Sequence, residues 1–168
     1  VTLLANAGVL IRYRDTALLL DGLFGRKDNP FSLLPPGCRE AMLRGEPPFE
    51  RLDYLLFTHY HPDHFDPEMV RALLEHRRVK GLFYPKDEAP AVQRLSRWLQ
   101  QEGIPCVPLC RGTDRAAIQI EPGISVQAFM VPHLGEEYRS VPHVCYLLSL
   151  DGRQVLFTAD SDYLHEDF

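Results

Sequence analysis

The apolar run Asp53-Tyr54-Leu55-Leu56-Phe57-Thr58 leads directly into His59-Tyr60-His61-Pro62-Asp63-His64, which places three histidines and an aspartate within six positions. A continuous apolar run bounded by polar residues reads as a strand buried on both faces. A strand end holds the loop that follows it, so the side chains of His59 and His61, two apart, point the same way. Pro62 stiffens the turn and lets Asp63 and His64 diverge toward a second position. Asp66 then suits a helix cap, Pro67 the first helical position, and Glu68 the positive end of the dipole. Imidazoles and a carboxylate held between a strand and a capped helix suit zinc, and manganese or iron could also be held. A solvated loop accounts for one histidine in such a place, not for three beside an aspartate.

Around this segment the chain alternates between strand and helix patterns. Val1–Ala5, Val9–Tyr13 and Ala17–Asp21 read as short strands separated by turn residues. A stretch rich in Gly and Pro follows, from Gly22 to Pro48, with one or two helical turns at Arg39–Arg44. Such a loop either covers a site or is a dispensable insertion. Met69, Val70, Leu73 and Leu74 fall at helical spacing after the Asp66 cap. Gly81–Tyr84 reads as a strand, and Pro90–Glu102 as a helix with Val92, Leu95, Trp98 and Leu99 on one face, ended by Gly103. Further strands are expected at Cys106–Leu109, Ala116–Ile120, Ile124–Val131, Cys145–Leu150 and Gln154–Thr158, the last two joined by the hairpin signal Asp151-Gly152. The sum is one mixed α/β domain over residues 1–168, with helices packed on sheets.

Composition narrows the partners. The chain has 168 residues, 45% hydrophobic and 24% charged, with a formal net charge of −5, which fits a globular domain and excludes disordered and fibrous classes. No apolar stretch approaches the ~18–20 residues of a membrane span, and the opening residues have no signal-peptide pattern. The acidic balance argues against nucleic acid and anionic lipid and leaves a small-molecule substrate as the expected partner, with homo-oligomers open. Four scattered cysteines are too few for a disulfide scaffold, so Cys106 and Cys110 read as ordinary thiols and the expected location is cytoplasmic. His76 and the Arg77-Arg78 pair close a helix, where the negative end of its dipole explains them.

Thr58-His59-Tyr60-His61-Pro62-Asp63-His64 resembles the His-x-His-x-Asp-His signature of the metallo-β-lactamase superfamily. Val131-Pro132-His133 resembles the family's third histidine after a strand, and Val155-Leu156-Phe157-Thr158-Ala159-Asp160 its bridging aspartate. Leu18-Leu19-Leu20-Asp21 resembles its first aspartate motif, whose carboxylate supports the metal site from behind. The resemblance implies an αββα sandwich of mixed sheets flanked by helices, and a zinc site of one or two ions. His59, His61 and His133 would hold the first ion, Asp63 and His64 the second, with Asp160 bridging. The implied activity is metal-dependent hydrolysis, in which a metal-activated hydroxide, oriented or deprotonated by Asp63, cleaves an ester, lactone, amide, thioester or phosphodiester.

Several family features are absent or altered. A complete family site has a further histidine well downstream of the bridging aspartate, yet eight residues follow Asp160 and His165 is a poor substitute. The C-terminal portion of the domain is therefore expected to be missing from this chain. A redox branch of the family carries Glu where this chain has His61, which argues against that chemistry. Nucleic-acid phosphodiesterases of the same fold and a non-catalytic metal-binding scaffold are the alternatives. His143 is expected in a pocket or loop, Tyr60 at the pocket or packed, and the segments Gly22–Pro48 and His133–His143 against substrate. Glu136-Glu137-Tyr138-Arg139 reads as a solvated loop.

Overall fold

A computed structural model describes residues 1–25, 30–110 and 117–162. Strands β1 (Thr2–Leu3), β2 (Val9–Tyr13), β3 (Thr16–Leu20), β4 (Tyr54–Leu56), β5 (Gly81–Pro85) and β6 (Cys106–Leu109) lie side by side in chain order in one sheet. The first three pair antiparallel, and β3 to β6 pair parallel. Parallel neighbours need a crossover, and α1 (Cys38–Arg44), α2 (Pro67–His76) and α3 (Pro90–Gln101) occupy the three crossovers. The second sheet is an antiparallel meander of β7 (Ile118–Glu121), β8 (Ile124–Met130), β9 (Val144–Leu150) and β10 (Arg153–Phe157).

The two-residue period of the central strands sorts their side chains into two cores. Leu19, Leu55 and Leu82 face the helices, packing with Met69, Val70, Leu73, Val92, Leu95 and Leu99. Leu18, Leu20, Leu56 and Phe83 face the second sheet, meeting Val126, Val144, Tyr146 and Leu148. This double burial is why β3, β4 and β5 read as continuous apolar runs. The Tyr54 hydroxyl also spans the sheets, donating to the Ile120 carbonyl at 2.8 Å. Helices, sheet and sheet thus make three layers of the expected αββα arrangement. Among the described residues no α-helix covers the outer face of the second sheet.

The predicted helix start holds in detail. Asp66 Oδ1 accepts from the backbone N–H groups of Glu68 and Met69 at 3.0 and 3.3 Å, and Pro67 takes the first helical position. Asp151 and Gly152 both adopt positive φ, 49° and 81°, the backbone of the expected two-residue turn. Other strands are displaced from expectation by a few residues: β1 is only Thr2–Leu3, β4 stops at Leu56, and β9 and β10 each begin one residue early. Backbone hydrogen bonding nevertheless continues past some of these ends; Phe57 N–H, for example, donates to the carbonyl of Phe83 in β5. Of the expected Ala116–Ile120 strand, Ala116 lies outside the described residues, and β7 runs Ile118–Glu121.

The described residues of the 22–48 segment are built into the fold. Met42 and Phe49 are buried in the helix-side core, with Leu34, Cys38 and Ala41 packed against it. Arg77 clamps the far end, donating to the carbonyls of Met42, Phe49 and Glu50. That position excludes a dispensable insertion, because removing it would strip one side of the core. None of the four cysteines forms a disulfide. Among the described residues no helix is long and apolar enough to cross a membrane.

Candidate metal centre

Four strand ends converge at one end of the sheets. Asp21 follows the end of β3, Thr58 and His59 lie just beyond β4, β8 leads to His133, and β10 leads to Asp160. Backbone bonds lock these ends together: Asp21 N–H to Leu56 O at 3.0 Å, Val144 N–H to Thr58 O at 2.8 Å, and Leu134 N–H to Asp160 O at 2.8 Å. His133 and Ser161 add an isolated antiparallel bridge. The side chains are therefore held by rigid elements rather than by free loops.

Asp21 organises the interior side of the site. Fully buried, it accepts from Thr58 N–H at 2.8 Å and Thr58 Oγ at 2.5 Å, and its Oδ2 lies 2.8 Å from His64 Nδ1. With its own proton committed to Asp21, Thr58 Oγ is left to accept from His59 Nδ1 at 3.0 Å. That assignment leaves His59 Nε2 as a bare lone pair. His133 reaches the same state differently, donating from Nδ1 to the Leu134 carbonyl at 2.7 Å. The two lone-pair nitrogens then face each other at 3.3 Å, with His61 Nδ1 at 3.0 Å from His59 Nε2. Two acceptors at that distance repel unless a cation lies between them, so this donor set fits a metal ion.

A second grouping adjoins the first. His64 Nε2 lies 3.4 Å from Asp63 Oδ2 and 3.3 Å from Asp160 Oδ2, while Asp160 Oδ2 is 4.0 Å from His59 Nε2 and 3.9 Å from His133 Nε2. Within the described residues, His59, His61 and His133 form one set of three whose donor atoms could hold a metal, and His59, His64 and Asp160 another. Asp63 stands outside both sets, against His64, and Asp160 reaches toward both.

The electrostatics agree with a place for positive charge. Burial, followed by neighbouring imidazoles, pushes His59 well below the ordinary imidazole value, and burial and His133 lower His61 likewise. Burial opposes charge on His64 too, but its hydrogen bonds to Asp160, Asp21 and Asp63 outweigh that and raise it to about 12. The His64 contact in turn lowers Asp160. Three carboxylates thus favour a cation at His64, a place where a metal can replace a proton.

The remaining expected residues fall in different places. His143 is buried, its ring centroid 5.0 Å from that of His59 and 5.5 Å from that of His133; burial and then His133 lower it to about 3. Tyr60 packs edge-on against Phe65 at 6.1 Å, on the helix-side core. His165 lies outside the described residues. Glu136, Glu137, Tyr138 and Arg139 are exposed, as a solvated loop requires, and from that loop Tyr138 places its ring 5.1 Å from those of both His61 and His133. Its loop is pinned by Arg139, which pairs with Glu136 at 2.9 Å and Asp162 at 3.6 Å. The only signal in the sequence was its place between two site histidines.

Three solved structures share the fold. CmlA, a diiron β-hydroxylase from Streptomyces venezuelae, is 24% identical with a TM-score of 0.60, over 95% of this chain and 29% of that one. A metallo hydrolase from the archaeon Ignicoccus hospitalis is 15% identical with a TM-score of 0.62, over 98% of this chain and 62% of that one. An isothiocyanate hydrolase from Delia radicum gut bacteria is 14% identical with a TM-score of 0.59, over 98% of this chain and 63% of that one. The chain therefore spans less than two thirds of the length of each. Comparison with curated proteins finds no match. A family model described as the beta-lactamase superfamily domain matches residues 17–168, and with the two-sheet architecture and the converging His and Asp side chains, the chain belongs to that superfamily, in its metallo-β-lactamase fold.

Proposed function

We propose that this chain carries the metal centre of a hydrolase acting on a small molecule with an ester, lactone, amide, thioester or phosphodiester bond. The observation that supports this most is the facing pair of lone-pair nitrogens on His59 and His133, with His61 beside them. His59, His61 and His133 would hold one ion, and His64 with Asp63 a second, with Asp160 between them. Zinc in such a site supplies Lewis acidity to the oxygen under attack and lowers the pKa of water. Asp63, buried beside His64, takes or directs the proton of the attacking water. Asp21 and Thr58 hold the imidazoles in their ligating tautomers.

Elemental analysis of the protein as purified tests this. One or two zinc ions per chain are expected, with His59→Ala losing the first. Iron and manganese are read in the same measurement, because CmlA is a diiron protein. Hydrolysis is then followed on p-nitrophenyl esters, a lactone and bis(p-nitrophenyl) phosphate. Failure to take up metal even on reconstitution refutes the reading; full metal content with no turnover of any of these substrates favours the non-catalytic scaffold.

A further inference from the structure

His143 is the unexplained member of the imidazole cluster. It is 1% exposed, and among the described residues neither of its ring nitrogens has a hydrogen-bond partner. The other buried imidazoles are each engaged: His59 by Thr58, His64 by Asp21 and His133 by the Leu134 carbonyl. The position of His143 is not loose, because its carbonyl accepts from Val131 N–H at 3.2 Å and the next residue donates to Thr58 O at 2.8 Å. Two buried polar atoms left without partners cost more than an apolar side chain of the same shape, so a purely packing role would be better served by Phe or Leu. An orphan of this kind calls for a partner that arrives with a ligand.

Its place narrows what that partner is. His143 lies outside both sets of donors that could hold a metal, yet its ring is within 5.5 Å of those of His59 and His133. In either neutral tautomer it offers one N–H donor. It also borders a cavity of about 370 Å³ walled by Met130, Val131, Pro132, Val141, Pro142 and Arg139. We infer that His143 is an oxyanion-contacting residue, whose N–H donates to the oxygen of a carboxylate or phosphate group bound at the metal centre. The inference rests on the metal-centre reading above, and a preorganised donor of this kind would serve the charge that develops on oxygen during hydrolysis.

Zinc-loaded wild type, His143→Phe and His143→Gln are compared by titration with acetate and with inorganic phosphate, alongside zinc content and metal-free melting temperature. His143→Phe is expected to keep its zinc and to melt at least as high as wild type, since it removes two idle polar atoms. It should lose about tenfold or more in affinity for the anion that wild type binds, and His143→Gln should recover part of that loss. Acetate affinity that depends on His143 points to an acyl group at the centre and phosphate affinity that depends on it to a phosphoryl group, and either supports the inference; binding of neither anion to zinc-loaded wild type overturns it. Loss of zinc from both variants would make His143 a ligand, and unchanged anion affinity with full zinc would make it structural; each overturns the proposal. A wild type that takes up no zinc overturns the metal-centre reading instead.

Discussion

Thr58→Val removes a single hydroxyl from the most connected point of the site and keeps the shape of the side chain. Thr58, Asp21 and His59 are all 0% exposed. The hydroxyl donates to the Asp21 carboxylate at 2.5 Å and accepts from His59 Nδ1 at 3.0 Å. Losing a hydrogen bond to a charged group costs about 1.5–3 kcal/mol, and leaving the buried His59 N–H unpaired about 1–3 kcal/mol. The two share one network and do not add fully, so about 3 kcal/mol is expected. At about 2–4 °C per kcal/mol for a domain of this size, the melting temperature of the metal-free protein should fall by about 6–12 °C by calorimetry. The larger claim concerns the metal. Without Thr58 Oγ to receive it, the His59 proton is free to move to Nε2, the atom that faces His61 and His133. Zinc affinity, measured by chelator competition, should then fall about 10–100-fold, and Thr58→Ser should restore it. A Thr58→Val protein that loses stability but binds zinc within twofold of wild type would refute the tautomer argument and reduce Thr58 to a packing residue.

Two further perturbations test the scaffold. Asp66→Ala removes the acceptor of two helix N–H groups; it should cost about 1 kcal/mol, about 2–4 °C of melting temperature, with zinc content unchanged. The Tyr54 hydroxyl, raised to about 12 by burial and then by Glu121, keeps its proton in the folded state when the unfolded chain begins to lose its own near pH 10. Its contribution is complete below about pH 10 and disappears as pH rises through about 12. In denaturant titrations, Tyr54→Phe should therefore lower stability at neutral pH by about 1 kcal/mol and lose stability less steeply at alkaline pH; an alkaline slope equal to that of wild type would remove Tyr54 from the linkage.

The parts of the fold legible in the sequence are those whose physics is local. The Asp66-Pro67-Glu68 cap and the Asp151-Gly152 turn depend on a few adjacent residues, and both stand as read. The central strands were legible because burial on two faces leaves an unbroken apolar run, as in Leu18–Leu20 and Leu55–Phe57. Their ends were not. Whether a terminal residue extends a ladder or bonds to a neighbouring loop is decided by segments distant in the chain, as with Asp21 N–H on Leu56 O and Asp53 N–H on Ala17 O. The role of the 22–48 segment was hidden for the same reason, since Arg77, a residue that helix-end electrostatics seemed to explain, is what ties the segment down.

The site divides along the same line. His59, His61, Asp63 and His64 announce themselves by spacing, because one strand end and one turn place them all. Tyr138 and His143 carry no such pattern, and their approach to the imidazoles depends on pairings across the fold. Asp162 N–H on Pro132 O and Arg139 on Asp162 draw the 133–143 loop inward, while Val144 N–H on Thr58 O sets His143 beside His59. The proposed metal ligands therefore lie at or just beyond strand ends, whereas the residues that would meet the rest of a substrate lie on a loop positioned by long-range contacts. On such an architecture, the chemistry is conferred by the strand ends and its selectivity by the loop. Replacing Tyr138 should accordingly change which compounds are turned over without changing the metal that is held.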